Sequence, residues 1–259
     1  MAKSPLLTLY TRDQRINSRY PDVTREVTPE LIRHIDHAGR GEGSIIYSQL
    51  NASNADQIIQ EQIRYFADLG QDFEWKLFDY DEPADLKERL AAAGFVVEEA
   101  EAIMVLDLVK APSQLWQPIT HDVRQLTDPA RLIDVEAIEA EVWQEEATWV
   151  QDYLGNALRQ HPERMSVYAA YVADQPASAA WVYYPAGSQF ASLWGGSTIE
   201  RYRRQGLYTA LLAARAQEAK GRGVRYLTVD ASPMSRPILE KLGFQFIAYS
   251  YPCKWRHAS

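Results

Sequence analysis

From Thr198 the chain reads Thr-Ile-Glu-Arg-Tyr-Arg-Arg-Gln-Gly-Leu-Tyr and runs on from Thr209 to Lys220, and no other stretch constrains the fold as tightly. Leu207, Ala210, Leu211 and Ala214 recur at helical spacing behind Gly206, so a basic, glycine-gated loop feeds a helix N-terminus. The first N–H groups of such a helix lack intrahelical partners, and its dipole favours negative charge. A phosphate is the natural guest. Gly206 lets the backbone come close to it, and Arg203 and Arg204 add charge-assisted hydrogen bonds.

With 259 residues, 46% of them hydrophobic and 24% charged, the chain reads as globular, with room for one large core or two small ones. No apolar run approaches the ~20 residues that span a bilayer, so no membrane partner is expected. The stretch from Met1 to Tyr20 lacks the apolar core of a secretory signal. Cys253 is the lone cysteine, which excludes an intrachain disulfide and suits a cytoplasmic setting; beside Pro252 in an aromatic-rich tail it reads as a packing residue.

A net charge of −8 argues against general nucleic-acid binding. The distribution is more telling. Positions 121–163 carry ten acids against three arginines, and positions 201–256 carry eleven Lys/Arg against three acids. Such a split suits an anionic cofactor held beside a cationic acceptor, and equally suits helices showing solvated faces of either sign.

Taken in order, Thr28-Pro29-Glu30 reads as the opening of a helix through Leu31 to Ile35, and Gly39, Gly41 and Gly43 as a flexible loop. A strand from Ser44 to Leu50, a helix from Asn54 to Leu69, a strand from Phe73 to Phe78, a helix from Glu82 to Ala93 and a further strand follow. Ala111-Pro112-Ser113 and Gln117-Pro118 bracket a linker. Beyond it come a strand from Asp122, an acidic helix from Pro129 to Val142, a helix from Thr148 to Arg159, and strands over 166–173, 177–184 and 190–199. Past the opening feature lie a strand from Tyr226 to Asp230, a helix from Ser235 to Leu242 and a last strand.

Two units echo each other. Helix, Gly70, strand, Pro83, helix, Leu90 and Gly94-Phe95 in the first half answer helix, Gly223, strand, Pro233, helix, Leu242 and Gly243-Phe244 in the second. The pattern predicts a degenerate duplication of alternating helices and strands, divided into 1–114 and 115–259.

Residues 203–208, Arg-Arg-Gln-Gly-Leu-Tyr, between a strand and a helix, and 236–244, Arg-Pro-Ile-Leu-Glu-Lys-Leu-Gly-Phe, resemble two motifs of the GCN5-related N-acetyltransferase (GNAT) family. Tyr208 departs from that pattern, which has a small residue there. The resemblance implies a tandem form with a degenerate N-terminal copy, whose Leu50-Asn51-Ala52-Ser53-Asn54-Ala55 has neither arginine nor glycine. It implies a mixed α/β fold, a twisted sheet flanked by helices whose fourth and fifth strands splay around acetyl-CoA, with no metal. Thr198, Ile199 and Glu200 would pair with the pantetheine arm. Arg203, Arg204, Gln205, Gly206, Leu207, Tyr208 and Thr209 would hold the pyrophosphate. Ser232 and Ser235 would bind the cofactor near its sulfur, or Ser232 would cap a helix.

The implied reaction is direct transfer of an acetyl group, in a ternary complex, to a primary amine of a small molecule or peptide. The family's usual acid, a tyrosine, falls on Leu239 here. Glu145, Glu146 and Glu200 are the candidate bases. Trp149, Tyr153 and Trp194 would wall the acceptor pocket with cation–π surfaces, or pack in the core. His121, His161 and His257 have no ligand spacing and receive no role. The acidic, Trp75-bearing surface of the first half is expected to shape the acceptor mouth. The alternative function is a non-catalytic acyl-CoA-binding or regulatory protein. Oligomeric state is not legible.

Overall fold

A computed structural model describes residues 4–21, 23–36 and 42–257. The first elements are α1 (Pro5–Tyr10), β1 (Val23–Val27), β2 (Leu31–Asp36), β3 (Glu42–Ser48), α2 (Ala55–Asp68), β4 (Asp72–Phe78), α3 (Leu86–Ala92), β5 (Val96–Val97) and β6 (Glu101–Asp107). Next come β7 (Asp122–Leu126), α4 (Ile133–Trp143), α5 (Asn156–Gln160), β8 (Met165–Val172), β9 (Gln175–Tyr183) and β10 (Phe190–Thr198). The chain closes with α6 (Leu207–Gly221), β11 (Tyr226–Ala231), α7 (Arg236–Lys241) and β12 (Gln245–Trp255). Two compact units result, and both are discontinuous. One holds Met1–Met104, Asp230–Glu240 and Phe246–Ser259; the other holds Val105–Val229 and Lys241–Gln245.

In the first unit the strand order is β1-β2-β3-β4-β12, with β3 and β4 parallel and joined through α2. Its core stacks Phe66 on Phe73 at 4.3 Å and sets Phe95 edge-on to Phe73 at 5.2 Å. Trp75 is buried in this core, as is Cys253, whose thiol burial pushes up to about 12. Trp75 is thus a packing residue and not a surface wall. Cys253 packs as expected.

The helix expected over 31–35 is instead the strand β2. Thr28 Oγ1 accepts from the N–H groups of Glu30 and Leu31, both at 3.2 Å, and Thr28 N–H donates to Leu31 O at 2.9 Å, which closes a hairpin turn. Pairing of Leu31 and Ile32 with β3 then outweighs the local helix signal. Of the three glycines expected in a loop, Gly39 and Gly41 lie outside the described residues. Gly43 is inside β3, where any Cβ would collide with the Phe66 ring.

Below these strands Arg15 and Asp81 form a bidentate ion pair at 2.8 Å, with side chains 2% and 3% exposed, and the guanidinium lies 3.9 Å from the centre of the Phe78 ring. Asp81→Ala is expected to destabilise the chain by about 3–5 kcal/mol, because it strands a buried cation. Chemical denaturation measures this. A loss below about 1 kcal/mol, the scale of an exposed pair, is the contrary result.

In the second unit the order is β7-β8-β9-β10-β11, antiparallel except for the β10–β11 pair that α6 connects. β8 and β9 are buried along nearly their whole length, the mark of a sheet covered on both faces. The alanine-rich α6 packs close to them, and Ala210, Leu211, Ala214 and Ala219 are all buried. The segment read as a linker is ordered: Gln217 Nε2 donates to Leu115 O at 2.9 Å and Gln117 O at 3.0 Å.

Candidate active site

The parallel pair at the centre of the second unit opens. Phe190, Ala191 and Ser192 pair with Tyr226, Leu227 and Thr228; after that β10 runs six residues to Thr198 with no register partner on β11. Within that open length β10 bulges between Gly195 and Ser197, with Gly195 at φ +70° and Gly196 at φ +90°. Glycine is required here both for the left-handed backbone and for space, since a Cβ on Gly195 would sit 2.5 Å from the Trp181 ring.

The chain leaves β10 through a 3-10 turn, Glu200–Tyr202, closed by Tyr202 N–H to Ile199 O at 2.9 Å and Arg203 N–H to Glu200 O at 3.1 Å. Arg203 Nε turns back onto Thr198 O at 3.1 Å, and Ile199 N–H donates to Ala177 O at 3.0 Å. Arg204 then takes φ +62° and Gly206 φ +84°, so two left-handed residues curl the main chain just ahead of α6. Such a curl points successive N–H groups the same way, and the first turn of α6 carries no acid to compete for them. The expected loop residues Arg203 to Thr209 are therefore brought together, and they fit a pyrophosphate.

His121, given no role from sequence, supports this loop. Its Nε2 lies 2.9 Å from Gln205 O, and a Cβ on Gly206 would come within 3.2 Å of its ring. Arg201 pairs with Glu141. Ser232 and Ser235 belong to the other unit, where they bond to each other at 3.2 Å and Ser232 O receives the Arg236 N–H at 3.0 Å, closing the turn into α7. Leu239 is fully buried.

Glu145, Glu146 and Glu200 are all exposed. The buried carboxylate is Glu139, on α4 and 3% exposed. Its Oε2 accepts from Trp143 Nε1 at 2.9 Å, while Oε1 has no hydrogen-bond partner among the described residues. Desolvation raises its pKa, while Trp143 and the nearby Ser197 of β10 act the other way. The missed signal was helical phase: Glu139 lies one position past Ile138 on the face that buries Val135 and Ile138.

Three tryptophans cluster at β9 and β10. Trp194 is the register partner of Trp181, and Trp149 packs on Trp181 with ring centres 5.7 Å apart. Trp149 and Trp194 remain exposed, Trp181 is buried, and Tyr153 is half-buried in a π-helical turn, Gln151–Gly155. Among the described residues no group of His, Cys, Asp and Glu could hold a metal, and no helix is long and apolar enough to cross a membrane.

The family model described as an acetyltransferase (GNAT) domain matches residues 135–254, so this part of the chain is similar to that domain. A GCN5-related N-acetyltransferase from Kribbella flavida is similar in fold, with a TM-score of 0.67 at 14% identity, over 96% of this chain and 93% of its own. A functionally unknown conserved protein from Staphylococcus epidermidis has a TM-score of 0.69 at 12% identity, over 92% of this chain and 96% of its own. A tandem GNAT protein from the clavulanic acid biosynthesis pathway has a TM-score of 0.61 at 14% identity, over 94% and 86%. At such identities the likeness is one of fold. No curated protein sequence matches the chain.

Proposed function

We propose that the chain transfers an acetyl group from acetyl-CoA to a primary amine of a small molecule or peptide, directly and in a ternary complex. The observation that carries this reading is the left-handed Arg204–Gly206 curl at the head of α6, beside the open length of β10. Bound acetyl-CoA supplies an activated thioester. Main-chain N–H groups from Arg204 to Thr209 hold its pyrophosphate, with the Arg203 and Arg204 side chains adding charge; the Arg203 N–H itself is engaged by Glu200 O. The open edge of β10 toward Thr198 offers the pantetheine arm a strand to lie beside. Ile199 and Glu200, expected to share in this, already use their carbonyls in the 3-10 turn.

Glu139 serves as the base in this reading. Burial raises the pKa of this carboxylate, which suits it to take up a proton, and Glu145, Glu146 and Glu200 lie exposed to solvent. Trp143 is the exposed cover over it, and the acceptor's ammonium takes the place of that indole. Trp149, Trp194 and Tyr153 offer the cation their ring faces.

The first unit reads as a degenerate copy, with the duplication meeting near 114/115. Its β3-α2-β4 repeats the β10-α6-β11 plan, but the head of α2 is filled from within. Asn51 Oδ1 accepts from Ser53 N–H at 2.9 Å and Asn54 N–H at 3.2 Å, and Asn54 Oδ1 accepts from Asn51 N–H at 2.8 Å. That leaves one acetyl-CoA site per chain.

Free-thiol release from acetyl-CoA across a panel of primary amines and peptides tests the proposal. Amine-dependent thiol is the expected result. Leu239, in place of the usual acid, favours a second reading as a non-catalytic acyl-CoA-binding protein. Tight acetyl-CoA binding without thiol release from any amine is the result that would decide for it.

A further inference from the structure

The reaction proposed above creates a thiolate, and the first turn of α6 holds a phenol placed to meet it. Tyr208 Cε2 lies 3.2 Å from where a Cβ on Gly196 would be, so its ring rests on the bulge of β10, past the last residue paired with β11. Its hydroxyl has no hydrogen-bond partner among the described residues. Burial raises its pKa, which keeps it protonated at neutral pH, while the positive charge of Arg215 works the other way.

Arg215 is the second observation. It lies seven residues further along α6 and is 2% exposed, donating Nε to Leu211 O at 3.2 Å and Nη1 to Trp181 O and Trp194 O, both at 3.3 Å. Among the described residues no carboxylate pairs with it. Desolvation pushes its pKa down to about 10, so it is still cationic at neutral pH, and the groups acting on its charge are Tyr208, Tyr184 and Tyr168. Tyr168 and Tyr184 each donate to Glu218 at 2.8 Å. Tyr208 is the one whose hydroxyl is unengaged. A buried cation without a counter-ion favours any anion that forms beside it.

We propose that Tyr208 is the proton donor to the leaving thiolate, with Arg215 stabilising the phenolate this creates; the inference rests on the acetyl-CoA site proposed above. The amine lone pair forms the C–N bond at the thioester carbonyl carbon. The C–S bond breaks with its electron pair on sulfur, and the Tyr208 O–H proton passes to that sulfur. The acceptor's ammonium gives its first proton to solvent to free that lone pair, the surplus proton of the attacking amine goes to Glu139, and the Tyr208 phenolate regains a proton from solvent. One role thereby accounts for the tyrosine where the loop motif has a small residue and for Gly196, whose missing Cβ makes room for its ring.

Tyr208→Phe keeps the ring and removes only the proton. It is expected to lower kcat about 100-fold, the low end of a general acid's usual contribution, with the acetyl-CoA Kd unchanged by calorimetry. In a second arm, fluorotyrosine placed at position 208 is followed by fluorine NMR. Its resonance is expected to move on adding acetyl-CoA, whether or not an acceptor is known. Wild-type kcat in Tyr208→Phe, or a resonance unmoved while calorimetry shows acetyl-CoA bound, overturns the role of Tyr208. Wild-type protein that binds no acetyl-CoA sinks the site itself, and the inference with it.

Discussion

Gly206→Val is expected to lower acetyl-CoA affinity by at least about 100-fold, since each charge-assisted hydrogen bond lost is worth roughly 1.5–3 kcal/mol. Gly206 has φ +84°, a conformation that a β-branched residue adopts only under strain. Space is short as well, because a Cβ would lie 3.2 Å from both Cε1 and Nε2 of His121, whose ring is held by Gln205 O. The chain must therefore reshape between Arg204 and α6, and the N–H groups stop converging. Arg203→Glu adds charge repulsion and removes the bond to Thr198 O. Calorimetry on the double variant, with a melting curve to show that the fold persists, checks the assignment. Affinity equal to wild type would mean that the pyrophosphate lies elsewhere.

Glu139→Gln is expected to lower kcat by about 100- to 1,000-fold, in the range of a lost general base, with acetyl-CoA binding intact. Stability should move the other way. Burial raises the pKa of this carboxylate in the folded state, so between the ordinary carboxylate value and the raised one the folded chain holds more protons than the unfolded chain. Its contribution to stability is therefore present at low pH and lost as pH rises through that window. Above the window wild type carries a buried charge that Glu139→Gln lacks, and the variant should be at least as stable there. Activity follows the opposite course, rising in wild type as Glu139 ionises. Thiol release and melting temperature measured from pH 4 to 8 separate the two effects. A variant that keeps both its rate and its pH profile would return the base to solvent or to another residue.

The stretch from Thr198 to α6 was legible because its chemistry is local. A glycine behind three arginines and ahead of a helical run predicts the same loop in any surroundings, and β10, Gly206 and α6 lie where the pattern puts them. β2 was not legible. Thr28-Pro29-Glu30 carries a sound helix-opening signal, but the hydroxyl of Thr28 closes a hairpin, and pairing with β1 and β3 decides the outcome. Gly43 carried a misleading signal for the same reason: its need for glycine comes from Phe66 packing against it, and nothing in its neighbours along the chain records that.

The catalytic candidates divide along the same line. Glu139, Glu145 and Glu146 stand within eight positions of one another in an acidic run, and sequence alone offers no ground for choosing among them beyond the helical phase of Glu139. Packing of α4 on the sheet desolvates one and leaves the others in water. Tyr208 reads as a departure from a motif until the bulge at Gly196 shows where its ring rests. His121 and Arg215, far from the loop or bulge in sequence, touch them only through the fold. The sequence by itself determined the glycine-headed helix start and the likeness of the second half to an acetyltransferase domain, because backbone conformation and motif spacing are written in neighbouring residues. Only the tertiary structure decided which carboxylate is buried, which phenol is unengaged and which cation lacks a partner, because desolvation and contact belong to residues that meet across the chain.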